Sequence, residues 1–322
     1  MSNFSHSFNQ VHYGLRPNKQ VERRMLVDGL QLLAEAGFGI RDYPYVGMGS
    51  VHFVDFSLFH KFLGIENMVS IEACEDIEKR VRFNVPFNKV VEVKTGTTIG
   101  EHITSLPDTD PHLVWLDYDN VLSESMLQDI ALSASALARG SILLVTVDTE
   151  APSNIGERKS DTKDNLDISQ QYFSALNHVY FNNLPLEEYA NANLPKVNIC
   201  GITKAIEDGI HGRAEEFLPL FNFLYADGHR MLTIGGMIGN KKDKTRIKQS
   251  RFAKADYTRL SLTSVPYEIR VPILTRKEHI FLECEMPSPD GWIPLDFEIS
   301  KNDIEAYRRV YRFCPSYAEL LC

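Results

Sequence analysis

No pair of cysteines in this chain is spaced for chemistry. The five, Cys74, Cys200, Cys284, Cys314 and Cys322, are scattered and odd in number, with no C-x-x-C. That argues against a zinc knuckle and a disulfide framework, and fits a reducing compartment. The ten histidines form no H-x-x-H or H-E-x-x-H, which removes the common zinc-enzyme signatures. No serine sits in G-x-S-x-G, so a hydrolase elbow is missing. No apolar run approaches the roughly 18 residues that cross a bilayer. The opening MSNFSHSFNQ lacks the basic-then-apolar pattern of a secretory signal. Positive charge is short: 34 Lys and Arg stand against 43 Asp and Glu, a net charge of -9. A bulk polyanion binder is thereby excluded, and any nucleic-acid contact must come from a local patch. There is no internal repeat and no low-complexity tract. The expectation from these absences is a soluble cytoplasmic protein.

What the chain does contain is alternation. The first twenty residues read as loosely ordered. A helical pattern runs from Val21 to Ala36, with Met25, Leu26, Leu30 and Leu33 on one face and Gly37 as its stop. Five short apolar runs follow, at 45–46, 67–71, 90–93, 113–116 and 142–147, with helix patterns between them. Continuous apolar strands alternating with helices predict a parallel sheet covered on both faces, doubly wound by right-handed crossovers. A charged stretch, GERKSDTKDNLD, then opens a helical insertion over about 152–215. FNFLYADGHRMLTIGGMI reads as a hairpin turning at Ala226-Asp227-Gly228-His229. Beyond it lie a strand-like VPYEIRVPIL, an apolar run at IFLEC and a terminal helix around IEAYRRVYRF. The expected division is an N-terminal helical segment over 1–40, a Rossmann-like domain over 41–240 and a C-terminal extension over 241–322.

Candidate chemistry gathers at strand ends. YVGMGSVHF places Gly47 and Gly49 between the first strand and a helix, where a ligand can approach the backbone closely; a plain tight turn has the same appearance. Position 52, where a dinucleotide fingerprint has its third glycine, is histidine. Glu72 closes the second strand, where a carboxylate can accept from both hydroxyls of a ribose or simply sit at the surface. Asp117, Tyr118 and Asp119 end the fourth strand, and Asp148 and Glu150 end the fifth. In a doubly wound sheet these converge beside the glycine loop, where carboxylates position a substrate, act as a base or hold a magnesium-like cation. Asp119 and Glu150 read as hydrated surface acids.

Glycine loop, acid after the second strand, acid after the fourth and a late hairpin together resemble the class I S-adenosylmethionine-dependent methyltransferase superfamily. The resemblance covers about 40–150 and 218–240. It implies a mostly parallel sheet with a late antiparallel hairpin and S-adenosylmethionine as cofactor. It implies that Gly47, Gly49 and Ser50 border the methionine part, that Glu72 binds the ribose, and that Asp117 and Tyr118 line the transfer pocket, with Asp117 orienting or deprotonating the acceptor. Gly96-Thr97-Thr98 stands where the family often has the Gly-Asp that holds adenine, which makes Gly96 and Thr97 the cofactor contacts there. The Asp117/Asp148 pair resembles metal-dependent O-methyltransferases of the catechol type, although Thr149 stands where asparagine is usual. DYDN is not the Asn/Asp-Pro-Pro-Tyr of amino-methylating DNA enzymes, so oxygen is the expected acceptor.

Two other resemblances bear on function. LVWLDYDNVL is similar to the first motif of haloacid-dehalogenase-type phosphatases, which would make Asp117 a nucleophile, Asp119 an acid–base and Thr146 a later motif residue. That motif normally opens its domain, and here three strand–helix units precede it. The chain also resembles bacterial O-methyltransferase-like proteins, some linked to phage-defence gene clusters. This implies a different role, a degenerate binding subunit within a larger complex.

Two basic islands remain. Arg16, Lys19, Arg23 and Arg24 read as a solvated segment. Lys241, Lys242, Lys244, Arg246, Lys248, Arg251 and Lys254 could meet nucleic acid, a nucleotide or an acidic protein partner through 241–254.

Overall fold

The protein was described from a computed structural model, which covers residues 16–73, 75–106, 109–151, 163–181 and 184–315. Residues 152–162, which include the first part of the charged stretch, and Cys74 and Cys322 lie outside these residues.

Eight strands form one sheet in the order β3-β2-β1-β4-β5-β7-β6-β8. They are β1 (Tyr45–Gly47), β2 (Met68–Glu72), β3 (Val91–Thr95), β4 (Leu113–Val121), β5 (Ile142–Asp148), β6 (Glu216–Asp227), β7 (His229–Gly239) and β8 (Tyr267–Ile269). β1 to β5 pair in parallel. β7 runs antiparallel to both β5 and β6, and β8 lies parallel to β6. The expected mostly parallel sheet with a late hairpin is therefore present, and the C-terminal region adds an eighth strand to it.

The helices cover both faces. α1 (Pro17–Glu35), α2 (Val54–Leu63) and α3 (Glu78–Phe83) precede β1, β2 and β3; α4 (Ile99–Thr104) and α5 (Glu124–Ala136) precede β4 and β5. α6 (Lys163–Leu176), α7 (His178–Phe181) and α8 (Leu194–Gly209) form the insertion before β6. α9 (Lys241–Gln249) follows β7, and α10 (Arg276–Glu285) and α11 (Lys301–Val310) end the described chain. The IFLEC run lies inside α10, where Leu282 is buried, Phe281 partly buried and Ile280 exposed.

Burial follows the period of two along each strand. Tyr45, Leu113, Trp115, Ile142 and Leu144 join α1 and α2 in one core. Val46, Val114, Leu116, Leu143 and Val145 join α4, α5 and α8 in the other. Counting outward by twos puts Gly47, Ser70, Glu72, Asp117, Thr146 and Asp148 on the α1 side. A third, small cluster of Leu282, Ile304 and Tyr307 holds α10 to α11.

α1 begins four residues earlier than its apolar pattern predicts. Val21, Met25, Leu26, Leu30 and Leu33 are fully buried, each worth about 2 kcal/mol of transfer free energy. The first turn is held by a distant carboxylate. Asp227 accepts from the backbone N–H groups of Asn18 at 3.2 Å and Lys19 at 2.9 Å. A carboxylate there satisfies orphan donors and complements the helix dipole. The Asn18 side chain donates to the Ala226 carbonyl at 2.8 Å and accepts from the Val271 N–H at 2.8 Å, so hairpin, α1 and the segment after β8 meet at one residue.

Candidate functional site

The crevice is bounded by the C-terminal ends of β1, β2, β4 and β5, with α1 lying across it. Its glycine loop needs small residues for reasons internal to the chain. A Cβ on Gly47 would stand 2.3 Å from the Tyr45 hydroxyl oxygen. One on Gly49 would stand 2.6 Å from the Phe53 ring and 2.7 Å from Ser70 Oγ. The left-handed backbone falls on Ser50 (φ 50°) and Phe53 (φ 47°) instead. Gly49 N–H donates to Ser70 Oγ at 3.1 Å, and Phe53 N–H to the Gly49 carbonyl at 2.9 Å. The loop is thus a closed, internally bonded turn feeding α2. Tyr45 donates to Asp55 in the first turn of that helix through a short bond. Burial and the Asp55 charge raise the Tyr45 phenol, and burial raises Asp55 against the pull of Arg23 and Tyr45.

Glu72 is half-buried at the end of β2, and its carbonyl accepts from Gly96 N–H at 3.1 Å. Gly96 is left-handed (φ 69°), and a Cβ there would meet Glu75 Oε1 at 2.4 Å. Thr97 donates its hydroxyl to Glu101 at 3.1 Å beside the Thr98–Glu101 capping box of α4.

Asp117 is tied to α1. Lys19 Nζ donates to Asp117 Oδ1 at 2.7 Å and to the Tyr225 hydroxyl at 3.0 Å, stands 2.9 Å from Glu22 Oε2, and lies 4.6 Å from the centre of the Trp115 ring. Lys19 is 1% exposed and Arg23 3%, so these two members of the basic island are interior, contrary to its reading as a solvated segment, whereas Arg24 is exposed. The chain of bonds continues inward. Glu22 accepts from Thr233, Thr233 meets Thr146 at 2.8 Å, and Trp115 Nε1 donates to Thr146 at 3.0 Å. Burial pulls the Lys19 ammonium down, but Asp117 and Glu22 carry it above its ordinary value. Burial pushes Asp117 up, but Lys19 and Arg23 hold it below the usual carboxylate range. Asp117 keeps 19% of its side chain exposed, and Arg16 stands 3.7 Å from Asp119.

Strand alternation turns Tyr118 to the other face. Its hydroxyl donates to Asp129 of α5 at 2.9 Å, and Asp129 also accepts from the Gly100 N–H of α4. Tyr118 therefore braces the first turn of α4 through Asp129, with its phenol raised by burial and Asp129. Asp148 shares the Asp117 face but has other partners. It accepts from Glu150 N–H at 2.7 Å and faces His229 Nδ1 at 3.0 Å. Among the described residues, Asp148, Glu150 and His229 are the group whose ligand atoms all lie within 4.8 Å of one another. Burial raises Asp148, and the Glu150 N–H and His229 pull it partly back. The phosphatase assignment of Thr146 meets a physical obstacle, because that hydroxyl is fully buried between Trp115 and Thr233.

The sequence over residues 11–322 matches the family described as "Putative O-methyltransferase". The chain belongs to that family. The strand order, with β7 reversed between β5 and β6, is the sheet of the class I S-adenosylmethionine-dependent methyltransferases. No curated protein sequence matches the chain. Among solved structures it is similar to Trm1 from Pyrococcus horikoshii in complex with S-adenosyl-L-methionine, at 12% identity and TM-score 0.44, over 71% of this chain and 58% of that one. It is similar to an O-methyltransferase family protein from Burkholderia thailandensis, at 10% identity and TM-score 0.36, over 66% and 56%. A fibrillarin pre-rRNA processing protein from Methanococcus jannaschii gives 11% identity and TM-score 0.36, over 62% and 68%. The chain thus spans less than two thirds of the first two. The fold rests on the strand order itself, and no helix among the described residues is long and apolar enough to cross a membrane.

The carboxylates on this face of the sheet fit the hydroxyl and amine groups of a nucleoside. Glu72 and Asp117 offer acceptors for hydroxyl and amine groups. Among the described residues, Lys19 of the interior basic cluster is paired with Asp117 and Glu22, while Arg23 Nε and Nη1 are buried without a hydrogen-bond partner. The second basic island lies elsewhere. β7 runs from Met231 opposite Asp148 to Met237 opposite Ile142, so α9 emerges at the sheet edge opposite the crevice. Two cations of the island are engaged, Lys244 with Glu216 at 2.9 Å and Arg251 with Glu35 at 3.1 Å, and Asp243 of α9 pairs with Arg139 at 2.8 Å.

Sequence reasoning missed Lys19, Glu22, Tyr225 and Asp227. A signal existed for the first two. Positions 19, 22, 26, 30 and 33 fall on one helical stripe, so the charges continue the apolar face.

Proposed function

We propose that the chain transfers a methyl group from S-adenosylmethionine to a hydroxyl of a small-molecule or macromolecular acceptor. The observation that carries this reading is the convergence of Gly47, Glu72 and Asp117 on the α1 side of a methyltransferase sheet: Gly47 and Glu72 end β1 and β2, and Asp117 stands in the adjacent β4 where its register with β5 shifts. When bound, the cofactor supplies an activated methyl sulfonium, so the protein's work is alignment and exclusion of water. The loop of Gly47, Gly49 and Ser50 borders the methionine part. Glu72 accepts from the ribose hydroxyls, and Gly96 and Thr97 flank the base. Asp117 has a role different from a general base: its ion pair keeps it ionised and weakly basic, so it orients the acceptor hydroxyl and stabilises positive charge near it. Tyr118 supports the first turn of α4 rather than the reacting atoms. Contact of nucleic acid or a protein partner with 241–254 would be a separate surface, remote from this crevice.

Calorimetric titration with S-adenosylmethionine and S-adenosylhomocysteine tests the reading. Micromolar binding, weakened tenfold or more by Glu72→Ala in a folded variant, supports it. A folded protein that binds neither ligand would favour the degenerate binding-subunit role, in which a partner protein is the ligand.

A further inference from the structure

The resemblance to metal-dependent O-methyltransferases gives Asp117 a divalent cation to hold. The side chains around Asp117 do not fit one. The Lys19 ammonium has three donors, and three oxygens converge on it: Asp117 Oδ1 at 2.7 Å, Glu22 Oε2 at 2.9 Å and the Tyr225 hydroxyl at 3.0 Å. The Trp115 ring closes a further side at 4.6 Å. The Asp117 and Tyr225 contacts are hydrogen bonds and the Glu22 contact an ion pair, whereas magnesium needs oxygens at about 2.1 Å in octahedral array. Arg23 and Arg16 add to the positive field at Asp117. A divalent ion on the same carboxylate would meet these like charges at close range. Nor is Lys19 a side chain free to swing away. Its backbone N–H is fixed by Asp227, its stem is buried, and its partner Glu22 is bonded to Thr233 in the middle of the sheet.

We propose that Lys19 is the resident cation of this crevice: its ammonium occupies the place at Asp117 that the related enzymes give to a metal. Lys19 is then a positioning residue. It fixes one oxygen of Asp117 and leaves the exposed part of that carboxylate to the acceptor. This deepens the methyl-transfer reading and rests on it for its meaning, but the ion pair can be tested without cofactor. The Asp148, Glu150 and His229 group is separate from Asp117 and no part of the proposal.

The test is manganese binding by electron paramagnetic resonance on the full chain, with no cofactor present. Wild type, Asp117→Asn and Lys19→Ala are compared, and folding is checked by circular dichroism. The expected result is that Asp117→Asn leaves the wild-type manganese isotherm unchanged. Removing the ammonium in Lys19→Ala exposes two converging carboxylates, and at least a tenfold gain in manganese affinity is expected. If Lys19→Ala does not fold, the wild-type and Asp117→Asn comparison still decides. Wild-type binding that falls tenfold or more in Asp117→Asn would overturn the proposal. A parallel titration with S-adenosylhomocysteine separates the two ideas: lack of binding there sinks the cofactor reading and leaves the Asp117 result to stand alone.

Discussion

The Asp227 carboxylate, at the turn of the last long hairpin, accepts a hydrogen bond from the backbone N–H of Lys19 at 2.9 Å. One bond thus fixes both the start of α1 and the height at which the Lys19 ammonium enters the crevice. Replacing Asp227 by alanine should lower stability by about 1–2 kcal/mol, the usual cost of a lost N-cap. Urea denaturation measures it. Asp227→Asn keeps an acceptor oxygen and is expected to lose less. Equal losses in the two variants would mean that the carboxylate does not cap the helix.

Gly49 is required by its neighbours. Alanine there would place a methyl 2.6 Å from the Phe53 ring, and overpacking of this kind costs about 1–3 kcal/mol. A double-mutant cycle separates steric cause from ligand loss. In a Phe53→Leu background, Gly49→Ala should cost at least about 0.5 kcal/mol less. Additive effects would place the strain elsewhere.

Thr146 bridges the Trp115 indole and Thr233 in the sheet interior. Thr146→Val keeps the shape and removes the acceptor, which strands a buried indole N–H. The expected loss is about 1–3 kcal/mol. Thr146→Ser retains the hydroxyl and should preserve the blue-shifted tryptophan emission of a buried, bonded indole. Emission unchanged in the valine variant together with unchanged stability would count against the bridge.

Acid should release α9. Burial pushes Asp243 up, but the Arg139 guanidinium and the Asn240 N–H more than offset this and hold it below its ordinary value of 3.8. A depressed carboxylate contributes stability that is complete above its unfolded pKa and lost as pH falls through the folded one. Wild type should therefore exceed Asp243→Asn in stability at neutral pH, with the gap closing below about 3.8. Denaturation series at pH 7 and pH 3 give the comparison. A gap independent of pH would show that the charge on Asp243 is not what matters.

The parallel half of the sheet was legible because its strands are continuous apolar runs, and each expected run lies within or overlaps a strand of the structure. The hairpin was legible from Asp227-Gly228-His229, whose glycine is left-handed at φ 99°. β8 was foreshadowed only as a strand-like stretch, since three residues at a sheet edge leave little periodic signal. Glu72 and Asp117 stood out by their place at the close of an apolar run, and they lie within β2 and β4. What they touch did not stand out, because ion pairs over a separation of 98 residues leave no local pattern. Lys19 shows the reason most plainly. A lysine near a chain start is ordinarily solvated, and only the tertiary presence of Asp117, Glu22 and Tyr225 makes its burial affordable. Tyr118 shows the converse: adjacency to Asp117 in sequence places it on the opposite face of the sheet.

The tie between α1 and Asp227 also has a meaning in time. A ribosome delivers the first helix more than two hundred residues before the hairpin that caps it. Until residue 227 emerges, Lys19, Glu22 and Arg23 have no interior to enter, and the crevice has no floor. Contacts of such long sequence separation form late and slowly. Nascent chains that already hold the glycine loop, Glu72 and Asp117 should remain unable to bind ligand until the last long strands pair, so that binding competence arrives with completion of the sheet.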